Sequence, residues 1–382
     1  TPRRPLFPRT NFLSGRETLF PPDGRKPKYS SVLIISGLVL ILLLLSTCGN
    51  ITDTTSTNTA LTTPPIDMTL ESQGNIQLQT FQQWITLMKQ YNGNTSPYQK
   101  QYSRDQQALQ SAITPKLYKK ALTTLKAHVI AIQMPAMKIE GQQLQQQLKQ
   151  KVNAWGQQHQ FHNSFDNKDY PLGYEYGGNG IGSWVQDDLT TGNTLASIQQ
   201  TIEDLHMYLY NFQAMTEDAT ESAPYNAVHQ TDLKIMQHNG KTNGKVIIVS
   251  LHEQAMRVYE DSKLVNAFLI TTGRLDRPTP PGDWWIEGKE SPTIFKSGVP
   301  EGSPNWYPDT PINYAMQYHS NGYFIHDSWW RNDYGPGTNF PHNDSSGDTF
   351  SAQGSHGCVN LSKDNAGWLY GFVDLYTSII IY

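Results

Sequence analysis

Charge is scarce in this sequence. Only 16% of its 382 residues are Asp, Glu, Lys or Arg, against about 25% in an average globular protein. Gln, Asn, Ser and Thr fill the deficit, giving a neutral polar surface that suits a secreted protein. The net charge of −4 offers nothing to nucleic acid, whose phosphates select basic faces. Cysteine is scarcer still. There are two, Cys48 and Cys358, too far apart in the chain for a mutual disulfide to be expected, so no disulfide framework is available. His128, His159, His162 and His206 lack metal-ligand spacing.

The charge that is present is unevenly placed. Residues 1–30 carry seven basic and two acidic side chains, leaving −9 for the rest. No charged residue lies between Lys28 and Asp53, and Val32–Leu45 is nearly continuous aliphatic sequence. A spanning helix needs roughly 17–25 residues of this kind, and basic residues on its N-terminal side alone fit the positive-inside rule. The expectation is a basic cytoplasmic tail over 1–30 and a membrane segment over 31–48. That segment reads as a transmembrane signal anchor or a lipoprotein signal, since Leu45-Ser46-Thr47-Cys48 loosely resembles a lipobox. A buried core helix is disfavoured because it would carry a polar stripe. Residues 49–67, rich in Thr, form a linker.

The length leaves room for two globular regions. Over 68–240 the apolar residues recur at helical spacing: Phe81, Trp84, Ile85 and Met88; Leu122, Leu125 and Val129; Leu144, Leu148 and Val152; Ile198, Ile202, Leu205 and Phe212. Three to five helices are expected, with Asn193-Thr194 starting one of them and Tyr170–Trp184 an ordered loop. The role of this region is not legible. Over 241–382 the period changes to that of strands: Val246–Ser250, Ala255–Tyr259, Leu264–Thr271, Asn313–Tyr318, Gly322–His326 and Thr377–Tyr382. One short helix, Lys363–Val373, starts at Ser362. The fold class is therefore α+β and multi-domain.

The chemistry concentrates in Ser355-His356-Gly357-Cys358-Val359-Asn360. A cysteine between Gly and His, after a polar loop, is a candidate nucleophile, and Gly357 allows close backbone approach. A free thiol is only a few per cent thiolate at neutral pH, so a nearby imidazole is expected to lower its pKa. Two candidates exist. His356 lies two residues away, and His326 ends an apolar strand beside Asp327. The residues alone do not choose between them, and a zinc site of His326, His342, His356 and Cys358 is also chemically open.

His326 and the Ser355–Asn360 run resemble the signature of the L,D-transpeptidase (YkuD) family. Thr272-Gly273 and Pro278-Thr279-Pro280-Pro281-Gly282 add to the resemblance, which covers about 245–382. It implies a β-sandwich-like catalytic domain over 241–382 with no metal and no cofactor. Cys358 then matches the nucleophile and His326 the general base, with Asp327, by side chain or carbonyl, orienting it. His356 and Gly357 match the support of the thiol, and the amides of Gly357 and Cys358 the oxyanion hole. Tyr307, Ser355 and Asn360 match oxyanion- and substrate-binding positions. The implied reaction is 3→3 cross-linking of peptidoglycan stem peptides through a thioester, on the outer face of a bacterial membrane, with acylation by carbapenem-type β-lactams. Water or a protein amine as acceptor, or a non-catalytic wall-binding role, are the alternatives. One departure is the 28 residues between His326 and Ser355. The excess, Trp329–Ser351, is expected to act as a lid or an acceptor-side wall.

Overall fold

The structure, a computed structural model, describes residues 65–303 and 306–382. The expected basic tail, the membrane segment 31–48 and nearly all of the linker lie outside these residues. Among those described, no helix is long and apolar enough to cross a membrane.

Six helices occupy the region read as helical: α1 (Met68–Gln90), α2 (Ser96–Gln110), α3 (Pro115–Gln158), α4 (Ile181–Thr191), α5 (Leu195–Asp218) and α6 (Gln230–His238). Asp67 caps α1 by accepting from the amide of Thr69, and Thr194 Oγ1 accepts from Ser197 N at 3.0 Å at the start of α5. Both satisfy amides that a helix start leaves orphaned. The helices α2, α4 and α6 were not separately visible in the sequence, because their short apolar periods sit among Gln, Ser and Gly. A hairpin also escaped: β1 (Gln160–Asn163) pairs antiparallel with β2 (Lys168–Pro171).

The described residues form two compact units, and the division is not a single cut along the chain. One unit contains 65–143 and 191–202, the other 144–190 and 203–382. In the first, Phe81, Ile85 and Met88 of α1 pack with Leu109 of α2 and with Leu122, Leu125, Val129 and Ile132 of α3. Each such side chain, fully buried, is worth about 1.5–3 kcal/mol.

The second unit holds the β-rich region. Its larger sheet is built from β3 (Lys245–Ser250), β4 (Ala255–Glu260), β5 (Lys263–Leu269), β6 (Gly282–Trp285) and, late in the chain, β13 (Ser378–Ile381). The order is β5-β4-β3-β13-β6. Central β3 runs antiparallel to β4 and parallel to β13. Val246–Ser250 are all buried, which is why β3 reads as a continuous apolar run rather than an alternating one. The smaller sheet comprises β7 (Gly288–Glu290), β10 (Ala315–His319), β11 (Tyr323–Asp327) and β12 (Val359–Leu361), in the order β12-β11-β10-β7. Between them in sequence, β8 (Thr293–Phe295) and β9 (Thr310–Ile312) form a separate pair. The helix α7 (Lys363–Phe372) is capped by Ser362 as expected. A helical region followed by a β-rich domain is thus what the sequence indicated.

Residues N-terminal to the β-rich region are integral to this unit. Arg257 on β4 is fully buried and is paired by Asp232 of α6 (2.5 Å), by Asp218 at the end of α5 (3.3 Å) and by Glu253. Tyr382 Oη donates to Asp232 at 2.5 Å, and Ser250 Oγ donates to Asp218 at 2.7 Å. A guanidinium taken out of water is tolerated only with such partners. Two of its three carboxylates precede residue 241.

Candidate active site

Three pieces of backbone meet at Cys358. The strands β11 and β12 are parallel, with His326 opposite Asn360 and Ile325 opposite Val359. The stretch after β5 adds bridges from Thr271 to Asn360 and from Gly273 to Ser355. Alternation along β12 puts Cys358 on the face of Asn360, and hence on the face of His326. Phe295 covers that face, 4.8 Å from the ring of Phe324 and 5.0 Å from that of His326.

The loop before the thiol is held from both sides. Ser355 Oγ donates to the Cys358 carbonyl at 2.6 Å and accepts from the Gly357 amide at 3.0 Å. Gly357 has φ +112°, and a Cβ there would lie 2.5 Å from Tyr323 Cε1. Backbone angle and space both demand glycine. Its carbonyl accepts from Thr279 Oγ1 at 2.9 Å and from Tyr318 Oη at 3.4 Å.

His326 is buried, and its orientation is set by backbone. Nδ1 lies 2.8 Å from the carbonyl of Asp327. A carbonyl only accepts, so Nδ1 carries the proton and Nε2 the lone pair. Asn360 Nδ2 donates to that Nε2 at 3.1 Å. The Asp327 carboxylate is engaged elsewhere, accepting from the amides of Asn313 and Tyr314 and from Asn313 Nδ2 at 2.7–2.8 Å. Of the two ways in which Asp327 was expected to orient the imidazole, the carbonyl is the one in contact.

Burial favours the uncharged forms of the thiol, the two imidazoles and the neighbouring phenols. Burial pushes the Cys358 thiol up to about 11, against an opposing hydrogen bond from the Phe324 backbone. The expected lowering by an imidazole is therefore not found, because burial outweighs the single stabilising contact. His326 is pushed down by burial, which outweighs the Asp327 carbonyl and charge. His356 is pushed down to about 4 by burial and by nearby Arg274 and Arg277. Tyr307, Tyr318 and Tyr323 are all raised, by burial first and then by their proximity to Cys358.

The expected site residues Cys358, His326, Asp327, Asn360, Ser355, Gly357, His356 and Tyr307 thus gather in one place. Two of the expected contacts differ. The Gly357 amide is taken by Ser355 Oγ, which leaves the Cys358 amide as the one that donates to nothing among the described residues. Tyr307 Oη donates to the carbonyl of Lys296 at 3.1 Å, while its ring lies 5.7 Å from that of His356. The four residues of the alternative zinc set form no metal-holding group among the described residues; the one group of that kind is Asp218, Glu221 and His229. Sequence reasoning missed Tyr318, Tyr323 and Thr279. Thr279 lies inside the Pro278–Gly282 motif, but nothing in sequence tells a buried linking hydroxyl from a turn residue.

The long loop between His326 and the cysteine is fastened down. Phe340 is buried between Phe161 and Tyr170 of the β1–β2 hairpin, at 5.1 and 4.9 Å. Arg331 donates to the carbonyls of Ser351 and Gln353, and Asp344 accepts from the amides of Asn332, Asp333 and Ser346. Side-chain and backbone contacts therefore hold the segment along much of its length.

Comparison with known proteins points to one family. Residues 244–381 match the family model of the YkuD L,D-transpeptidase catalytic domain. A probable L,D-transpeptidase 3 of Mycobacterium tuberculosis is 30% identical over 116 residues, 28% of this chain and 36% of that protein. L,D-transpeptidase 1 of the same organism is 27% identical over 133 residues, 33% of this chain and 45% of that protein. The chain thus spans less than half the length of these curated relatives. A crystal structure of an Enterococcus faecium L,D-transpeptidase mutant aligns over 37% of this chain and 51% of that chain at 30% identity, with a TM-score of 0.31.

Proposed function

From the premise that residues 244–381 are an L,D-transpeptidase catalytic domain, we propose that the protein cross-links peptidoglycan stem peptides 3→3, with Cys358 as nucleophile and His326 as general base. One observation carries the reading: parallel strands in register set a buried, tautomer-fixed imidazole on the face of the only thiol among the described residues. His356 lies with its ring near that of Tyr307 and close to two arginines, whose charge disfavours its protonation. It serves as support for the loop, as do Ser355 and Gly357.

Because thiol and imidazole both rest neutral, the proton moves as the sulfur attacks. Sγ bonds to the carbonyl carbon after the third stem residue and its proton passes to His326 Nε2, for which Asn360 gives up its contact. The developing oxyanion faces the Cys358 amide. The C–N bond to the terminal D-Ala breaks, and His326 returns the proton to the leaving nitrogen. An amine from a neighbouring stem then attacks the thioester, loses a proton to His326, and expels the sulfur, which takes that proton back. This divides one difficult displacement into two easier ones. No step calls on a metal or cofactor.

The same thioester chemistry extends to β-lactams. Structures of related L,D-transpeptidases in complex with imipenem and acylated by ertapenem support a carbapenem as inhibitor of this chain. Residues 31–48, outside the described residues, are read as the membrane tether that keeps the domain at the wall. Fractionation of the full chain tests this: association that survives replacement of Cys48 marks a spanning anchor, and loss marks a lipoprotein. The reaction itself is tested by mass spectrometry of purified tetrapeptide stems after incubation. Dimers lighter by one alanine per link support it, and unchanged monomers with an unmodified Cys358 refute it.

A further inference from the structure

We propose that Thr279 is a positioning residue for the Cys358 amide, and that Tyr174, from outside the family-matched segment, braces the same frame. The inference rests on the reading of Cys358 as an acylated nucleophile.

The frame is a run of hydrogen bonds that all point one way. The Ser355 amide donates to the Thr272 carbonyl at 2.9 Å. The N–H of that same peptide group, on Gly273, donates to Thr279 Oγ1 at 2.9 Å. Thr279 then donates to the Gly357 carbonyl at 2.9 Å. The N–H of that last peptide group belongs to Cys358, and it donates to nothing among the described residues. Each acceptance at a carbonyl draws charge from its amide nitrogen and makes the N–H a stronger donor, so a run of this kind strengthens towards its end. The run ends at the amide beside the sulfur. It also fixes the direction of that N–H, since Thr279 holds the carbonyl on one side and Ser355 Oγ holds the Cys358 carbonyl on the other. A donor fixed before charge develops is what oxyanion stabilisation requires. Thr279 is fully buried, so its hydroxyl is held by these two contacts rather than by solvent.

Tyr174 holds the middle of the frame. Its hydroxyl donates to the Gly273 carbonyl at 2.5 Å and accepts from Asn339 Nδ2 at 3.0 Å. The peptide group it grips donates onward, from the Arg274 amide to the Ser355 carbonyl at 3.0 Å. Gly273 packs closely against the following turn: a Cβ there would lie 2.1 Å from the Arg277 carbonyl. Residues 174 and 339 therefore join the α-helical part of this unit to the loop that carries the thiol.

The test uses the full chain and two reagents. Imipenem acylates through a tetrahedral oxyanion, whereas iodoacetamide alkylates the sulfur without one. Thr279→Val should slow imipenem acylation about tenfold and leave the pH profile of iodoacetamide alkylation unmoved. Thr279→Ser, which keeps the hydroxyl, should restore the rate. Tyr174→Phe should slow acylation about threefold, and together with Thr279→Val it should cost less than the product of the two factors. Equal acylation in wild type and Thr279→Val, or equal slowing with both reagents, would overturn the assignment. If Thr279→Val shows no cooperative melt, Tyr174→Phe decides alone: an unchanged imipenem rate overturns the proposal, and a selective loss sustains it. A wild-type chain that imipenem does not acylate refutes the underlying reading instead.

Discussion

Two buried polar clusters in the same unit answer desolvation in opposite ways. Around Arg257, a guanidinium and the carboxylates of Asp218, Asp232 and Glu253 pair with one another. Around Cys358 the groups are a thiol, hydroxyls, amides and imidazoles, and the buried carboxylate of Asp327 is held by amides rather than by a cation. Burial there drives the thiol up to about 11 and the imidazoles down. The first cluster can stay charged because opposite charge arrives from α5 and α6. In the second, burial of the thiol is opposed among the described residues by one backbone amide, that of Phe324. The first cluster keeps its charge by pairing, and in the second burial favours the protonated thiol and the neutral imidazoles.

This contrast orders the expected effects. Replacing Cys358 by Ala should abolish cross-linking and imipenem adducts while the melting temperature stays close to wild type. Residual dimers at a comparable rate would mean another nucleophile. Replacing His326 by Gln should lower acylation by about 10²–10⁴-fold, the usual contribution of a positioned base, whereas the His356 variant should lose less. Single-turnover acylation of both variants ranks them, and a larger loss at His356 would reverse the roles.

In the charged cluster, Asp232→Ala leaves Arg257 short of a partner and should cost about 3–5 kcal/mol of stability, read from urea unfolding. Acylation per folded molecule should not change. A chain beginning at 241 loses Asp218 as well and should fold poorly, while one beginning at 144 keeps the whole unit. A stable, active 241–382 fragment would show that the Arg257 cluster matters little.

Two smaller effects follow from the neutral site. At pH 7 a thiol at about 11 is roughly 0.01% thiolate, so alkylation of the resting protein by iodoacetamide should still be climbing at pH 9–10. A plateau near pH 7 would indicate a thiolate–imidazolium pair. His319 and His356 are both held down to about 4, by burial first. Above about pH 6.5 neither form of the chain binds these protons. Between there and 4 the unfolded chain takes them up first, so stability should fall on acidification. Thermal melts across pH 4–7 check the direction.

The strands β3, β11 and β13 were legible because they are apolar runs with sharp ends. The cysteine motif was legible because Ser355, Gly357 and Asn360 each meet a local backbone or side-chain requirement that a short sequence can encode. What remained hidden is non-local. The carboxylates of Asp218 and Asp232 look like ordinary helix-surface charges until α5 and α6 set them against Arg257. Tyr174 and Phe161 look like loop aromatics until they hold Gly273 and Phe340. A linear boundary at 240/241 follows the change of hydrophobic period, but packing follows these contacts, and they run from residue 144 onward. The depressed thiol pKa expected from a neighbouring imidazole failed for a similar reason, since burial is a property of the whole surround rather than of the motif.

The central claim is that Cys358 is the nucleophile and carries the stem peptide as a thioester. Intact-protein mass spectrometry of the full chain with a purified tetrapeptide stem, quenched in acid on the millisecond-to-second scale, tests it directly. The account predicts a Cys358 adduct equal to the stem less its terminal D-Ala, which decays into 3→3 dimers and is absent from the Cys358→Ala variant. Dimers formed with no such adduct at any time, or an adduct that persists in the Ala variant, would contradict it.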